Sequence, residues 1–455
     1  MEPETWNLKP GTSNLESRTK ILKVMTQKKN DIGLVWFRND LRVQDNFILK
    51  KAVEAHKSII AVYCLDPRHF ELDKFGFKKT EKFRAKFLIE SLKDLKSNLK
   101  KQNIELFVYH RYSEDALKLL VKQHDIEHLY FQKEWTKEEK TVEDNLKQNL
   151  PELNFHSYYD QFLFHPEDIN MAFDNIPQVF TNFRKKVEKY SKVKDSFHID
   201  FQLESLNIEN NTEIPRAEEL GLEDYKTHEN SAIPFTGGES AALNRLKSYV
   251  FNTKNLGTYK KTRNGLIGTD YSSKFSIWLA NGSISPRTIY WAVKKFEDEE
   301  FSNQSTYWMI FELIWRDYFK YISLKHGDNI FQIGGILKKD YDWNTNKNKI
   351  NAWINGETDS DFVNANMIEL KKTGFMSNRG RQNVASYFSK ELKLDWRIGA
   401  AHFESLLVDY DVHSNYGNWM YNSGVGNDPR DRKFNVKSQA ERYDCDRKYR
   451  QLWLQ

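Results

Sequence analysis

Ile32–Phe37 reads IGLVWF and is followed at once by the polar run Arg38–Arg42, RNDLR. An unbroken apolar run of that length, rich in β-branched and aromatic residues, matches a strand buried on both faces. The pattern returns at Ser58–Leu65 (SIIAVYCL), Ile104–His110 (IELFVYH) and His128–Gln132 (HLYFQ). Between these runs, Thr80–Lys100 spaces Phe83, Phe87, Leu88, Leu92, Leu95 and Leu99 three and four apart, as one helix face requires. Residues 114–124 and 136–149 also read as helices. Strands alternating with helices predict a parallel α/β sheet. No G-x-G-x-x-G follows the first strand, so the dinucleotide fingerprint is missing. A nucleotide-type pocket at the strand ends stays open.

Beyond about residue 160 the pattern changes. His165-Pro166, Ile176-Pro177, Pro215 and Pro234 punctuate a polar connector to about 235, with one helix expected at Val179–Ser191. Helical patterns then dominate: Glu239–Val250, Pro286–Phe296, Thr306–Lys325 and Arg397–Tyr410. The expected organisation is an extension over 1–30, an α/β domain over 31–160, a linker over 161–235 and an all-helical domain over 236–455.

Composition narrows the class. Aromatics make 14% of the 455 residues, too many for a disordered chain. Two cysteines, Cys64 and Cys445, exclude a disulfide scaffold, a cysteine-ligated cluster and a four-cysteine zinc site. No apolar run reaches the roughly 18–20 residues of a membrane span. The formal charge of +5 suits an ordinary surface or a local basic patch. The first 30 residues lack a secretory apolar core, although Arg18–Lys29 is basic. The expectation is an intracellular, reducing, mainly cytoplasmic protein, with organelle or nuclear import open. Trp6, Trp36 and Trp135 precede Val250, and the other nine of the 12 tryptophans follow it.

Four segments carry chemistry. Tyr259–Ser276 (YKKTRNGLIGTDYSSKFS) sets Thr269, Ser272, Ser273 and Ser276 beside Gly265, Gly268 and Lys274. Hydroxyls and free backbone N–H groups suit a phosphate; a Ser-rich helix entry is the alternative. Tyr307–Tyr321 (YWMIFELIWRDYFKY) embeds Glu312, Arg316 and Asp317 in an apolar helix. Charges there must be paired or used, and Glu312 with Arg316 has ion-pair spacing. In Thr373–Asn383 (TGFMSNRGRQN), Asn378 and Arg381 share a helix face. In Leu407–Tyr421 (LVDYDVHSNYGNWMY), Asp409, Asp411, Asn415 and Trp419 are placed to converge on a polar ligand, with Asp409 a partner for Arg381; the alternative is an Asx-rich turn. His413 has no second ligand at metal spacing, so no metal is expected.

Taken in order, WFRNDLR (Trp36–Arg42), GGESAALNRL (Gly237–Leu246), YKKTRNGLIGTDYSSKFS, STYWMIFELIWRDYFKY (Ser305–Tyr321), TGFMSNRGRQN, DYDVHSNYGNW and GVGNDPR resemble the photolyase–cryptochrome superfamily, in detail its cryptochrome-DASH branch. The resemblance runs from about Ile32 to the last residue. It implies a Rossmann-like parallel-sheet N-terminal α/β domain, a long linker and an all-helical C-terminal FAD-binding domain. Tyr259, Ser272, Ser273 and Ser276 match the family's FAD phosphate stretch. Arg316, Asn378, Arg381, Asp409, Asp411 and Asn415 match other flavin-contacting positions. The resemblance sets the Arg381–Asp409 pair against the isoalloxazine and Asn415 at flavin N5.

By the same resemblance, Trp343, Trp396 and Trp419 fill the positions of an electron-transfer chain running from the surface to the flavin. Glu312, Asn378 and Trp315 match the positions that hold a cyclobutane pyrimidine dimer. Tyr421 stands where bacterial photolyases carry a second tryptophan wall, and Gln382 replaces an apolar residue; both are as in the DASH branch. A more polar pocket holds a flipped dimer less strongly, so repair mainly in single-stranded DNA is implied. Arg379, Arg430 and Arg432 are expected phosphate contacts. Glu134, within FQKEWTKEE (Phe131–Glu139), aligns with the acid that meets a methenyltetrahydrofolate antenna; an exposed surface Glu is the alternative. The implied activity is that of a deoxyribodipyrimidine photo-lyase, a monomer acting on single-stranded or damaged DNA and bound to no membrane. The alternative is a non-repairing photoreceptor. One family stretch departs: Thr358–Met367 reads TDSDFVNANM, without the usual Gly-Tyr-Pro turn and with Asn364 in place of an acid.

Overall fold

The computed structural model describes residues 31–201 and 203–455. The expected extension over 1–30 lies outside the described residues. Five parallel strands form one sheet: β1 (Ile32–Phe37), β2 (Ser58–Cys64), β3 (Glu105–Tyr109), β4 (His128–Gln132) and β5 (Asn154–Tyr158). Their spatial order is β3-β2-β1-β4-β5, with Leu34 opposite Ile60 on one side and Leu129 on the other. Crossovers α1 (Phe47–Ala55), α2 (Lys82–Lys100), α3 (Ser113–Gln123) and α4 (Lys137–Asn149) cover the sheet. Separate apolar clusters fill its two faces, which is why the inner strands carry no polar alternation. Two elements escaped the sequence reading. β5 (NFHSY) is a half-exposed edge strand without an apolar run. α1 has nine residues, too few to display a period, and is started by Asn46, whose side chain accepts from Leu49 N–H.

The connector carries α5 (Phe180–Tyr190) and otherwise runs as irregular chain. Its Ile199, Leu203, Leu220 and Leu222 close one face of the sheet, while Phe162, Ile176, Phe180 and Phe183 enter the helical core. The rest is helical: α6 (Glu239–Lys247), the short α7 (Tyr259–Thr262) and α8 (Ser276–Ala280), α9 (Pro286–Glu299) and α10 (Gln304–His326). There follow α11 (Lys347–Asn355), α12 (Asp361–Thr373), α13 (Asn378–Ser386), α14 (Trp396–Leu406), α15 (Val412–Ser423), α16 (Val436–Tyr443) and α17 (Lys448–Trp453). α10 is the spine. Its buried Asp317 accepts the backbone N–H of Leu163 at 3.0 Å and of Phe164 at 2.8 Å, clamping the connector.

The altered stretch after α11 is a closed turn. Asn364 Oδ1 accepts from Thr358 N at 2.8 Å and Oγ1 at 2.7 Å, and its Nδ2 donates to Thr358 O at 2.8 Å. An amide both donates and accepts, so Asn364 closes this ring where a carboxylate would only accept. Among the described residues, no helix is long and apolar enough to cross a membrane.

Candidate functional site

The site is built around Arg263–Phe275, a stretch without helix or strand between α7 and α8. Arg245 of α6 holds it. The guanidinium donates to the carbonyls of Ser273 (3.1 Å), Ser272 (3.2 Å) and Thr269 (3.3 Å), and to Asp270 Oδ1 (2.8 Å). In a trans peptide the following N–H points opposite to the carbonyl. The N–H groups of Ser273 and Lys274 are therefore turned away from Arg245, on residues that line a cavity of about 260 Å³. Neither has a partner among the described residues. Lys274, at φ +63°, sits in the left-handed region. Successive free N–H groups beside a left-handed residue make an anion-binding concavity.

Lys274 is itself the clearest signal. Its side chain is buried, and Nζ has no hydrogen-bond partner among the described residues. It lies against the rings of Tyr271 and Phe375. Burial pushes its pKa well below the usual lysine range, against the pull of Glu369. Glu369, also buried, is raised to about 7 by desolvation, opposed by its bond from Tyr449 Oη and the charges of Lys274 and Arg381. An ammonium stripped of water with no acceptor is destabilised unless an anion arrives.

The other walls come from α10, α13 and the α14–α15 turn. Arg381 donates to both carboxylate oxygens of Asp409, at 2.8 and 3.0 Å, and to Met376 O at 2.9 Å. Asp411 pairs with buried Lys320 at 2.8 Å and accepts from Ser414 N at 2.8 Å, starting α15. Burial would raise Asp411, but the charges of Lys320, His413 and Arg316 hold it well below the carboxylate range. Glu312 does not pair with Arg316 as its spacing allows. It is tied to Arg263, while Arg316 donates to Gln161 O (2.5 Å) and Leu279 O (3.2 Å). The i,i+4 geometry was available, but Arg316 is drawn to one carbonyl of the connector and one of α8. Burial raises Glu312, and the Arg263 charge opposes this.

Tyr259, Ser272, Ser273, Ser276, Glu312, Asn378, Arg316, Arg381, Asp409 and Asp411 all line this cavity. Asn415 and Trp419 do not. Asn415 is buried and donates to Ala400 O at 3.0 Å, and Trp419 is packed among Phe403, Phe388 and Trp353, with ring centroids 5.1, 5.8 and 6.1 Å away. Trp396 is buried, bonded to Ile333 O and next to Tyr416; Trp343 is half-buried beside Tyr341. Trp315 stacks on Phe180 with centroids 3.7 Å apart and meets Tyr421 edge-on at 6.0 Å. Tyr421 Oη accepts from Arg432 at 2.5 Å, and Gln382 accepts from Arg379 at 2.9 Å. Arg430 is exposed.

A second cavity, about 740 Å³, opens where Asn39, Leu65, Gln132 and Thr136 leave the carboxyl ends of the strands. It sits beside β1 and β4, the switch point of the strand order, where such sheets bind ligands. It shares Ala280, Arg316 and Asp411 with the first cavity. Glu134 lines it and is buried, not on the open surface as the alternative reading had it. It accepts from Gln132 Nε2 at 2.9 Å, while Gln132 Oε1 has no partner. Nearby Glu139 is raised to about 7, by burial and then by the charge of Glu134. His413 is taken by Ser323 and the Trp135 ring, and no cluster among the described residues is arranged to hold a metal.

Residues 33–200 match the DNA photolyase family model, and residues 308–455 match the FAD binding domain of DNA photolyase. Cryptochrome DASH of Gloeobacter violaceus is 45% identical over 424 residues, covering 92% of this chain and 85% of that protein. Cryptochrome DASH of Xenopus laevis is 46% identical over 425 residues, covering 92% and 81%. The chain belongs to the photolyase–cryptochrome superfamily, in its cryptochrome-DASH branch. The crystal structure of a Synechocystis cryptochrome superimposes with a TM-score of 0.90 at 43% identity, covering 94% of this chain and 89% of that one. This cryptochrome-DASH chain is thus an FAD-family protein with the sheet and helical parts its relatives share. The unpartnered Lys274 ammonium and the free N–H groups fit a diphosphate. The sequence reading set Lys274 within the phosphate-suited stretch without giving its side chain a role, and passed over Arg245, Arg263 and Lys320 as site residues. Their residue types carried no signal; burial without a partner, or with one from a distant element, is what singles them out.

Proposed function

We propose that this protein is a blue-light flavoprotein that splits cyclobutane pyrimidine dimers, mainly in single-stranded DNA. The supporting observation is that Glu312 and Asn378 share one cavity with Ser272, Ser273, Lys274 and Arg381. Dimer-holding and flavin-holding groups thereby face the same space. When bound and reduced, FAD supplies a light-driven one-electron donor. Lys274 and the N–H groups of Ser273 and Lys274 hold the diphosphate, with Tyr259, Ser272 and Ser276 around it. Arg381, fixed by Asp409, would favour negative charge on the ring; Asn415 stands behind this wall as a neutral amide tied to Ala400 O, adding no carboxylate charge. Glu312 hydrogen-bonds the dimer, released from Arg263 as the lesion enters, and Arg263 then meets backbone phosphate. Trp315, braced by Phe180, stacks on the lesion, with Asn378, Gln382 and Tyr421 completing the pocket. Flipping a dimer out of a duplex costs a few kcal/mol that a single strand does not require. Arg379, Arg430 and Arg432 hold phosphates, making binding salt-sensitive.

Trp419, Trp396 and Trp343 would serve as a row of indoles able to pass electrons from the surface toward the cavity. The strand-end cavity, with Glu134 on its wall, would hold a methenyltetrahydrofolate antenna. Cys64 and Cys445 are free thiols, which suits a reducing intracellular compartment. A non-repairing photoreceptor is the second reading, favoured by Glu312 being already engaged by Arg263. An irradiated single-stranded oligonucleotide decides between them. Light should remove its thymine dimers when reduced FAD is bound, and Glu312→Gln should slow this by about tenfold or more. Intact dimers with the wild-type holoprotein would leave only the photoreceptor.

A further inference from the structure

Arg245 stands outside the cavity and does not line it. It is about nine-tenths buried, at 9% exposure, and four of its contacts go to a single loop. The rings of Phe235 and Tyr249 flank the guanidinium at 4.9 and 5.0 Å. Those rings fix its plane, and the planar fork fixes the carbonyls it binds. Three of the four acceptors are main-chain oxygens that would otherwise lie beside the protein core without donors. No helix or strand constrains the peptides that carry them. Among the described residues, the carbonyls of Thr269, Ser272 and Ser273 take no donor but this side chain, so the orientation of those peptides rests on it.

We infer that Arg245 is the positioning residue that presents the Ser273 and Lys274 N–H groups to the cofactor's diphosphate, acting through the loop's carbonyl side without touching the cofactor. This rests on the flavin reading of the cavity. A lysine keeps the charge but offers a point donor on a flexible stem, so it cannot hold three divergent carbonyls in one plane. The consequence is selective. Ligands with a diphosphate lose affinity when Arg245 is replaced, and ligands without one do not.

The test uses the full chain freed of flavin and titrated separately with FAD, ADP and riboflavin. Arg245→Lys should weaken FAD and ADP on the order of tenfold, equivalent to loss of about one charge-assisted hydrogen bond. Riboflavin affinity should stay within about twofold of wild type. Arg245→Gln should weaken FAD and ADP further; should it fail to fold, Arg245→Lys alone decides. Equal loss for riboflavin and FAD would make Arg245 a general scaffold and overturn the assignment, as would unchanged FAD affinity. A wild-type chain that takes up neither FAD nor ADP would overturn the flavin reading itself, and this assignment with it.

Discussion

His402 is a buried residue whose two ring nitrogens both lack partners, next to Phe77 and Trp353. Burial and the charge of Lys371 lower its pKa to about 4, against an ordinary value near 6.5. The unfolded chain therefore takes up a proton there between pH 6.5 and 4 that the folded chain refuses. Stability at this position is whole above pH 6.5 and lost as pH falls toward 4, by up to about 3 kcal/mol. His402→Phe should flatten the acid limb of urea midpoints measured from pH 7 to 4.5, relative to wild type. Parallel limbs would show that His402 does not set this sensitivity. The sequence showed a histidine on a helix and nothing of this, because a titration shift depends on what surrounds the ring. Lys274 is the same case. Its place in the motif was legible, while its isolation from any acceptor exists only once Tyr271 and Phe375 close over it. Arg381 with Asp409 is the opposite case. Their types already suggested a pair, and the fold sets them 2.8 Å apart.

Among elements, α14 and α15 meet at Gly399, where a Cβ would collide with the Trp419 ring. The missing side chain lets a helix face accept an indole, so Trp419 is wedged between two helices. Gly399→Ala should cost about 1–3 kcal/mol through overpacking and should displace Trp419. Thermal melts check the first expectation, and flavin photoreduction rates check the second, since the proposed relay predicts slower electron transfer when Trp419 is shifted. A melt unchanged within a degree would mean the helices part freely there. Element type was readable wherever apolar spacing was long, as in α2 and α10. α11, α12 and α15 were not recognised as helices, because polar residues such as those of α11 (KNKINAWIN) dilute the period. The Asn364 turn shows the reverse limit. Its departure from the family pattern was visible, but the reciprocal bonds to Thr358 that close it were not.

At the scale of the molecule, four buried charges join the α/β part to the helical part. Arg42 and Arg287 both bind Asp160, and Arg287 also reaches Asp45 at 3.1 Å. Asp160 is 1% exposed, so Asp160→Asn removes the carboxylate shared by two buried guanidiniums, leaving Arg42 without its counter-charge while Arg287 keeps Asp45. The expected loss is about 3–5 kcal/mol. In the wild type both parts should unfold together, seen as coincident urea transitions by tryptophan fluorescence and by flavin release. Separate transitions would show that the network does not couple them. The sequence by itself determined the fold class, the order of the parts and the family, because apolar periodicity and ordered motifs are local properties of the chain. It also determined the residue types that face the cavity. Only the tertiary structure decided which charges are spent on the scaffold and which are left for a ligand. Arg316 goes to the connector, Glu312 to Arg263 and Arg245 to the loop carbonyls, while Lys274 has no acceptor at all. The physical reason is that a charge's partner is chosen by distance in space and by the loss of water, and neither quantity is written in sequence spacing.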